Sequence, residues 1–331
     1  ITRNSELYID DEEVKNLLNR IEEELVRREK GAAVRLEICK GFDQTMLKQF
    51  LEALDLEKSS IYETDGPISP LRLMGVYDLI NRPDLKFPHF TPKIPKGYEL
   101  PELIFDNIAK KDLLLHQPYD SFQPFIDFIE QAAKDPKVFA IKQTLYRTSG
   151  DSPIVKALMD ASKNGKQVTA IVEIKARFDE ENNIQLAGRL ERAGVQIAYG
   201  VANMKIHAKL SLITRLEAEQ LVSYAHFGTG NYHPATAKIY TDFSYFTCNS
   251  DLCRDAWYIF NYLTSHVKPH KLEKVIISPF SSENWLQTQI DSEIKAAKSG
   301  KPSGIWIKVN ALVDKNIIEK CPKLIEFISK S

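Results

Sequence analysis

No stretch of this 331-residue chain approaches eighteen consecutive apolar residues, so no transmembrane helix is expected. No secretory leader pattern opens it. Its first residue is Ile1 rather than methionine, which reads as a fragment or a trimmed chain. Neither sign of charge is in excess: 44 Lys and Arg stand against 45 Asp and Glu. That balance excludes a global electrostatic footprint for nucleic acid or an anionic membrane, and no nucleic-acid partner is expected, although a local basic site is compatible with it. Cysteine is sparse. Cys39, Cys248, Cys253 and Cys321 are scattered, and only Cys248 and Cys253 lie close, without the spacing or partners of a zinc site. Free thiols in a reducing cytosol are the expectation. What is left is ordinary globular composition, 43% hydrophobic and 27% charged, in a chain long enough for two or three domains.

The first part of the chain reads as a small α+β unit. Residues 11–30 carry Val14, Leu17, Leu18, Ile21 and Leu25 at helical spacing, with acidic residues early and basic ones late. Residues 32–39 alternate as a strand, 43–55 are helical, and Leu71–Ile80 is a shorter helix after the Gly66-Pro67 turn. Pro83, Pro88, Pro92, Pro95 and Pro101 then mark an extended linker. From about residue 112 strands alternate with helices. The spacing predicts strands at Val138–Tyr146, Gln167–Lys175, Val195–Tyr199, Met204–Ile213, Leu221–Phe227 and Ile239–Thr247. Helices are predicted at Phe122–Ala133, Pro153–Asn164, Glu181–Ala193 and 251–264. This alternation argues for βαβ units and a largely parallel sheet covered by helices. After Leu272 a strand (Val275–Ser278), a helix (Ser282–Lys298) and a strand (Gly304–Val309) look like the start of a second copy.

The chemistry gathers around Lys205-Ile206-His207-Ala208-Lys209. A period of two places His207 and Lys209 on one strand face. Neutral imidazole can attack phosphorus, and an ammonium can neutralise phosphate oxygens. Arg147 and Arg177 follow predicted strands at their carboxyl ends, where open α/β sheets build their sites, and guanidinium forks suit phosphate. Taken alone, each reads more readily as a solvated loop residue; the convergence of both with His207 on one sheet edge reverses that. The loop Gly228-Thr229-Gly230-Asn231 lets backbone approach a phosphate, and Asn231 can orient an imidazole. His226 is a candidate for proton exchange or a buried structural group; Tyr240 is a candidate for stacking or for core. Lys142, Glu173 and Lys175 are further polar residues on sheet strands. Asp179, Glu180 and Glu181 read as a solvated helix start, with Mg²⁺ placement the alternative.

These residues stand in runs that resemble a known family. AIKQTLYRTSGDSPIV, VEIKARFDEENNI, KIHAKLSLI and YAHFGTGNYHPATAKIYTD, in that order, are similar to type-1 polyphosphate kinases, as is GPISPLRLMGVYDLINRPDLKFPHFTPKIP upstream. The resemblance implies a phospholipase-D-like mixed sheet flanked by helices, preceded by a small α+β or helical head domain. It implies a head over 1–95, a first catalytic domain over 96–270 and the start of a second over 271–331. It implies reversible transfer of the ATP γ-phosphate to polyphosphate with Mg²⁺, in the cytoplasm or peripheral to the inner face of the membrane, by a homo-oligomer. His207 is then the phosphorylated nucleophile, with Lys209, His226 and Asn231 as further catalytic groups and Tyr240 as an ATP contact. Arg147 and Arg177 belong to the Mg²⁺–phosphate site, and they touch the phosphates because a guanidinium has no lone pair to give a metal.

The run Cys321–Ser331 does not resemble the family's continuation, which supplies a further arginine motif and a second catalytic histidine. Half of a two-lobed site, with little activity of its own, is therefore expected. Two rival readings remain. A phospholipase-D-like phosphodiesterase or nuclease calls for an aspartate five residues past the lysine of HxK, where this chain has Thr214. A non-catalytic remnant would serve as an assembly module.

Overall fold

The computed structural model describes residues 1–4 and 31–320, apart from 89, 96–97, 99, 149–150, 177–178, 202–203, 269–270, 308 and 310. The helix expected over 11–30, Arg177 and the run from Cys321 to Ser331 lie outside the described residues.

Strands β1 (Thr2–Arg3), β2 (Ala33–Cys39) and β3 (Ile61–Thr64) form a small sheet in that order, with β2 and β3 parallel. Helix α1 (Gln44–Leu54) packs Leu47 and Leu51 against Leu36 and Ile38. It begins where the Asp43 carboxylate accepts the Met46 N–H at 2.8 Å. The helix expected over 71–80 is shorter than its pattern: a 3-10 turn at Pro70–Gly75 runs into a single turn, α2 (Val76–Leu79). Leu71, Met74 and Leu79 are exposed, so no apolar face is buried there to sustain a longer helix.

The main sheet has seven strands. Helix α3 (Ile104–Lys110) leads into β4 (Leu113–Gln117). Then come α4 (Gln123–Lys134), β5 (Val138–Leu145), α5 (Pro153–Lys163), β6 (Gln167–Val172), α6 (Glu180–Arg192) and β7 (Gln196–Ala198). Strands β8 (Lys209–Glu217), β9 (Gln220–Gly228) and β10 (Asp242–Thr247) precede α7 (Ser250–Ser265) and α8 (Ser282–Lys298). Spatial order is β4-β10-β9-β8-β5-β6-β7. The sheet is mixed and flanked by helices, as the family resemblance implied, and not largely parallel as the alternation alone had suggested. Only β5, β6 and β7 are parallel; β8, β9, β10 and β4 all pair antiparallel. The cause is local. Glu217 faces Gln220 across a two-residue turn in which Ala218 and Glu219 both have positive φ, and such a turn can only fold β9 back on β8.

Both sheet faces are covered. Phe125, Phe128 and Ile129 of α4, Ile154 and Leu158 of α5 and Leu186 of α6 share one core with Ile141, Val168, Ile213 and Phe246. On the other face Cys253, Ala256, Ile259 and Phe260 of α7 pack on Leu210, Leu212 and Ala225. The aromatic run at 251–264 is therefore mainly core, although Trp257 stays exposed. Cys39, Cys248 and Cys253 are free thiols.

Five expected strands differ. Strand β6 stops at Val172 rather than Lys175, and β10 starts at Asp242 rather than Ile239. The ladder of β8 begins at Lys209, not Met204, because the Thr144 side chain takes over the next backbone groups. Its hydroxyl donates to the Ala208 carbonyl at 2.8 Å and accepts the Leu210 N–H at 2.9 Å. Residues 275–278 and the described part of 304–309 are not strands; neither pairs with a strand among the described residues. The Val275 N–H instead joins those of Glu273 and Lys274 on the buried Asp255 carboxylate. No described helix is long and apolar enough to cross a membrane.

Candidate functional site at one edge of the sheet

The mixed topology brings the candidate residues to one edge. Lys209 at the start of β8 pairs with Gly228 at the end of β9, and Asp242 at the start of β10 pairs with Gln117 at the end of β4. Strands β5 and β6 end at the same edge, followed by Arg147 and by Glu173 and Lys175.

His207 lies before the ladder of β8, exposed, in a segment fixed from behind. The buried Glu173 carboxylate accepts the Ile206 N–H at 2.6 Å. The Asn183 amide donates to the carbonyls of Tyr146 and Glu173, each at 2.8 Å, and so holds the ends of β5 and β6 together. The Tyr146 ring then serves as a shared plate. The His207 imidazole meets it edge-on at 4.9 Å between centroids, and the ammoniums of Lys205 and Lys209 lie 5.7 and 5.2 Å from its centre.

This setting keeps imidazole neutral. Partial burial, followed by the charges of Lys209, Lys205 and Arg147, pushes the His207 pKa below the ordinary histidine value. Burial also brings Lys209 down to about 8, with the Asp242 carboxylate opposing that shift. The Lys209 ammonium donates to the His207 carbonyl at 2.5 Å. His207 stands before the strand rather than in it, exposed where Lys209 is buried, and both side chains lie against the Tyr146 ring. Arg147 is steered by Asp179, whose carboxylate lies 2.5 Å from its Nε. Asp179 is thus engaged with a guanidinium at the start of α6.

The loop after β9 is fastened to β10. The Thr229 hydroxyl donates to Asp242 at 2.8 Å and accepts the Phe243 N–H at 2.9 Å. A Cβ on Gly230 would fall 2.5 Å from Asp242 Oδ2 and 2.9 Å from its Cβ, so a larger residue there has to displace that side chain.

Other candidates stand apart. His226 is buried two positions inward on β9, opposite Ser211, between Phe125 and Phe246 at 4.6 and 4.5 Å. Its Nδ1 is 2.9 Å from the Tyr232 hydroxyl, and burial lowers its pKa to about 3. No hydrogen bond among the described residues joins the Asn231 amide to either histidine, and its Oδ1 is buried without a partner. Tyr240 precedes β10 rather than lying in a strand; it is 62% exposed, with its N–H on the Thr236 carbonyl at 2.9 Å. Lys142 is on the α7 side, donating to Asn261 at 3.2 Å. Thr214, at the position where a phosphodiesterase would need aspartate, sits in the β8–β9 ladder within 3.4 Å of the Ser223 hydroxyl.

Spacing alone did not single out Thr144, Tyr146, Asn183, Tyr232 or Asp242. Asp242 and Tyr232 sit inside the YAHFGTGNYHPATAKIYTD run, which is the signal that points to them.

A cavity of about 660 Å³ runs beside His207, between residues 204–208, the Ile259, Tyr262 and Leu263 side of α7, and residues 276–280. Among the described residues no group of three or more His, Cys, Asp or Glu is arranged to hold a metal ion. The edge is rich in cations, which suits phosphate oxygens and does not suit a bare divalent ion.

Comparison with known proteins gives a consistent result. Residues 1–76 match the family described as polyphosphate kinase middle domain, 103–269 match polyphosphate kinase C-terminal domain 1, and 275–324 match polyphosphate kinase C-terminal domain 2. The polyphosphate kinase of Pseudomonas syringae pv. tomato is 43% identical over 318 residues, covering 96% of this chain and 43% of that protein. That of Pseudomonas aeruginosa is 44% identical, covering 96% of this chain and 46% of the relative. The crystal structure of polyphosphate kinase from Porphyromonas gingivalis aligns with a TM-score of 0.75 at 28% identity, over 88% of this chain and 45% of that one. The chain spans less than half the length of these relatives.

Proposed function

Because the chain belongs to the polyphosphate kinase family, we propose that its sheet edge is the nucleophile side of a phosphoryl-transfer site, passing the γ-phosphate of Mg²⁺–ATP reversibly to the end of a polyphosphate chain. The observation that carries this reading is the setting of His207: exposed, held neutral, and flanked by Lys205, Lys209 and Arg147. A neutral imidazole has the lone pair that in-line attack on phosphorus requires, while the surrounding cations favour the negative charge spread over the equatorial oxygens.

In this reading the His207 nitrogen forms the N–P bond as the bond from phosphorus to the β–γ bridging oxygen breaks, and ADP leaves. The terminal oxygen of polyphosphate then takes the phosphoryl group and frees the imidazole. Lys209 and Arg147 hold phosphate oxygens; Arg177 is assigned the same task by its place in the KARFDE run. Magnesium enters as part of the nucleotide substrate, coordinated by phosphates. Tyr240, exposed before β10, is the proposed nucleotide contact. This substrate pair belongs to the cytoplasm.

Incubation with Mg²⁺–ATP, followed by mass spectrometry under alkaline conditions that preserve phosphohistidine, tests the assignment. Phosphate is expected on His207 and absent from His207→Ala; equal labelling of that variant overturns it.

A further inference from the structure

His226 is the second histidine of the catalytic run, and its environment assigns it a different chemistry from that of His207. Its imidazole is clasped by Phe125 and Phe246 and is 1% exposed. The Tyr232 hydroxyl lies 2.9 Å from Nδ1. The Tyr232 ring is itself fixed, stacked on Phe125 at 4.2 Å and 20°.

The direction of that hydrogen bond decides the tautomer. Among the hydrogen bonds of the described residues the buried Tyr232 hydroxyl has Nδ1 as its partner, and a buried phenol hydrogen needs an acceptor, so it points at Nδ1. Burial holds the phenol protonated, well above its ordinary range. With Nδ1 accepting, the proton of neutral His226 is on Nε2. That atom is buried with no hydrogen-bond partner, and so is the hydroxyl of Ser211, its cross-strand neighbour. The ring is nonetheless close to the reacting edge. A Cβ added at Gly228 would lie 3.0 Å from His226 Cε1 and 3.4 Å from the Cβ of Lys209.

We propose that Tyr232 is a positioning residue that locks His226 as the neutral Nε2–H tautomer, making it a hydrogen-bond donor behind Lys209 and disqualifying it as a second phosphoryl acceptor or as a general base. Both reactions need a nitrogen lone pair; Tyr232 occupies the one on Nδ1, and Nε2 carries the proton. The role of this tautomer in phosphoryl transfer rests on the function proposed above, but the tautomer itself does not.

Imidazole ¹⁵N–¹H correlation spectra of the ¹⁵N-labelled chain read the protonated nitrogen directly, with the His226 signals identified by their loss in His226→Gln. The wild type is expected to show one neutral Nε2–H pattern, and Tyr232→Phe, which keeps the ring stack, a mixture of tautomers. A wild-type Nδ1–H pattern, or an unchanged pattern in folded Tyr232→Phe, overturns the proposal. So does phosphate mapped to His226 after incubation with Mg²⁺–ATP. If Tyr232→Phe does not fold, the wild-type spectrum decides alone. Failure of His207 to label would count against the phosphoryl-transfer reading and leave the tautomer result standing.

Discussion

The carboxylate of Glu173 accepts the backbone N–H of Ile206 at 2.6 Å, one residue before His207. Its other oxygen accepts the Lys175 N–H at 2.8 Å. One buried side chain at the end of β6 therefore fixes the height of the His207 segment above the sheet edge. Replacing it with alanine leaves two backbone donors unanswered. Glu173→Ala is expected to cost about 2–3 kcal/mol in stability. It is expected to cost more in chemistry, on the order of a hundredfold in His207 phosphorylation, since that segment shifts relative to the cations. Denaturant titration and labelling rates check both. A labelling rate that falls no further than the folded fraction would show that Glu173 does not position the nucleophile.

Much of this frame was legible in the sequence. Helices α1, α4, α5, α6 and α8 fall within about two residues of their expected bounds because they carry helical periodicity and clear stops; Gly165 and Gly194 sit at positive φ just past α5 and α6. The direction of β8 was not legible, since period two is the same for parallel and antiparallel strands. Nor was the start of its ladder, set by a hydroxyl on Thr144 sixty-six residues from Leu210. Alternation put His226 on a face but did not say that α4 covers it. The anchors Glu173, Asn183 and Asp242 act through one or two side-chain hydrogen bonds each, across separations of up to 37 residues, and those leave no periodic trace.

The two flanking groups set a pH window for the first half-reaction. His207 must be neutral to attack, and its lowered pKa moves that requirement below the ordinary value of about 6.5. Lys209 must be charged, and its ammonium is lost as pH rises through about 8. The initial rate of His207 phosphorylation is therefore expected to hold through neutrality and decline above about pH 8. Lys209→Arg keeps its charge at every working pH. Rate–pH profiles of the two proteins check this. An alkaline decline identical in the arginine variant would mean that another group sets it.

Gly230 couples the loop to the same lysine. A Cβ at this position meets Asp242 at 2.5–2.9 Å, so Gly230→Ala must displace that side chain and break its hydrogen bond with Thr229. A loss of about 1–3 kcal/mol is expected from the overpacking. The moved carboxylate no longer supports the Lys209 charge, so the alkaline limb should shift to lower pH. Melting curves and the rate–pH profile measure the two effects. Stability equal to wild type would show that the loop accommodates the methyl group without moving Asp242.

His226 makes the fold itself acid-sensitive. In the unfolded chain it takes a proton near pH 6.5, whereas burial lowers its folded pKa to about 3. Between these values the unfolded state binds a proton that the folded state does not, so stability falls as pH falls. The slope is about 1.4 kcal/mol per pH unit for one proton, or roughly 2 kcal/mol lost by pH 5. Carboxylates add their own acid dependence, so the discriminating quantity is the difference between proteins. His226→Gln keeps a side chain able to accept from Tyr232 and has nothing to titrate in this range. Although that variant is expected to be less stable at pH 7, its stability should fall by roughly 2 kcal/mol less than that of the wild type between pH 7 and pH 5. Denaturant unfolding at the two pH values gives the comparison directly. Parallel losses would mean that His226 takes up its proton inside the folded chain despite the packing of Phe125, Tyr232 and Phe246 around it, and would overturn the prediction.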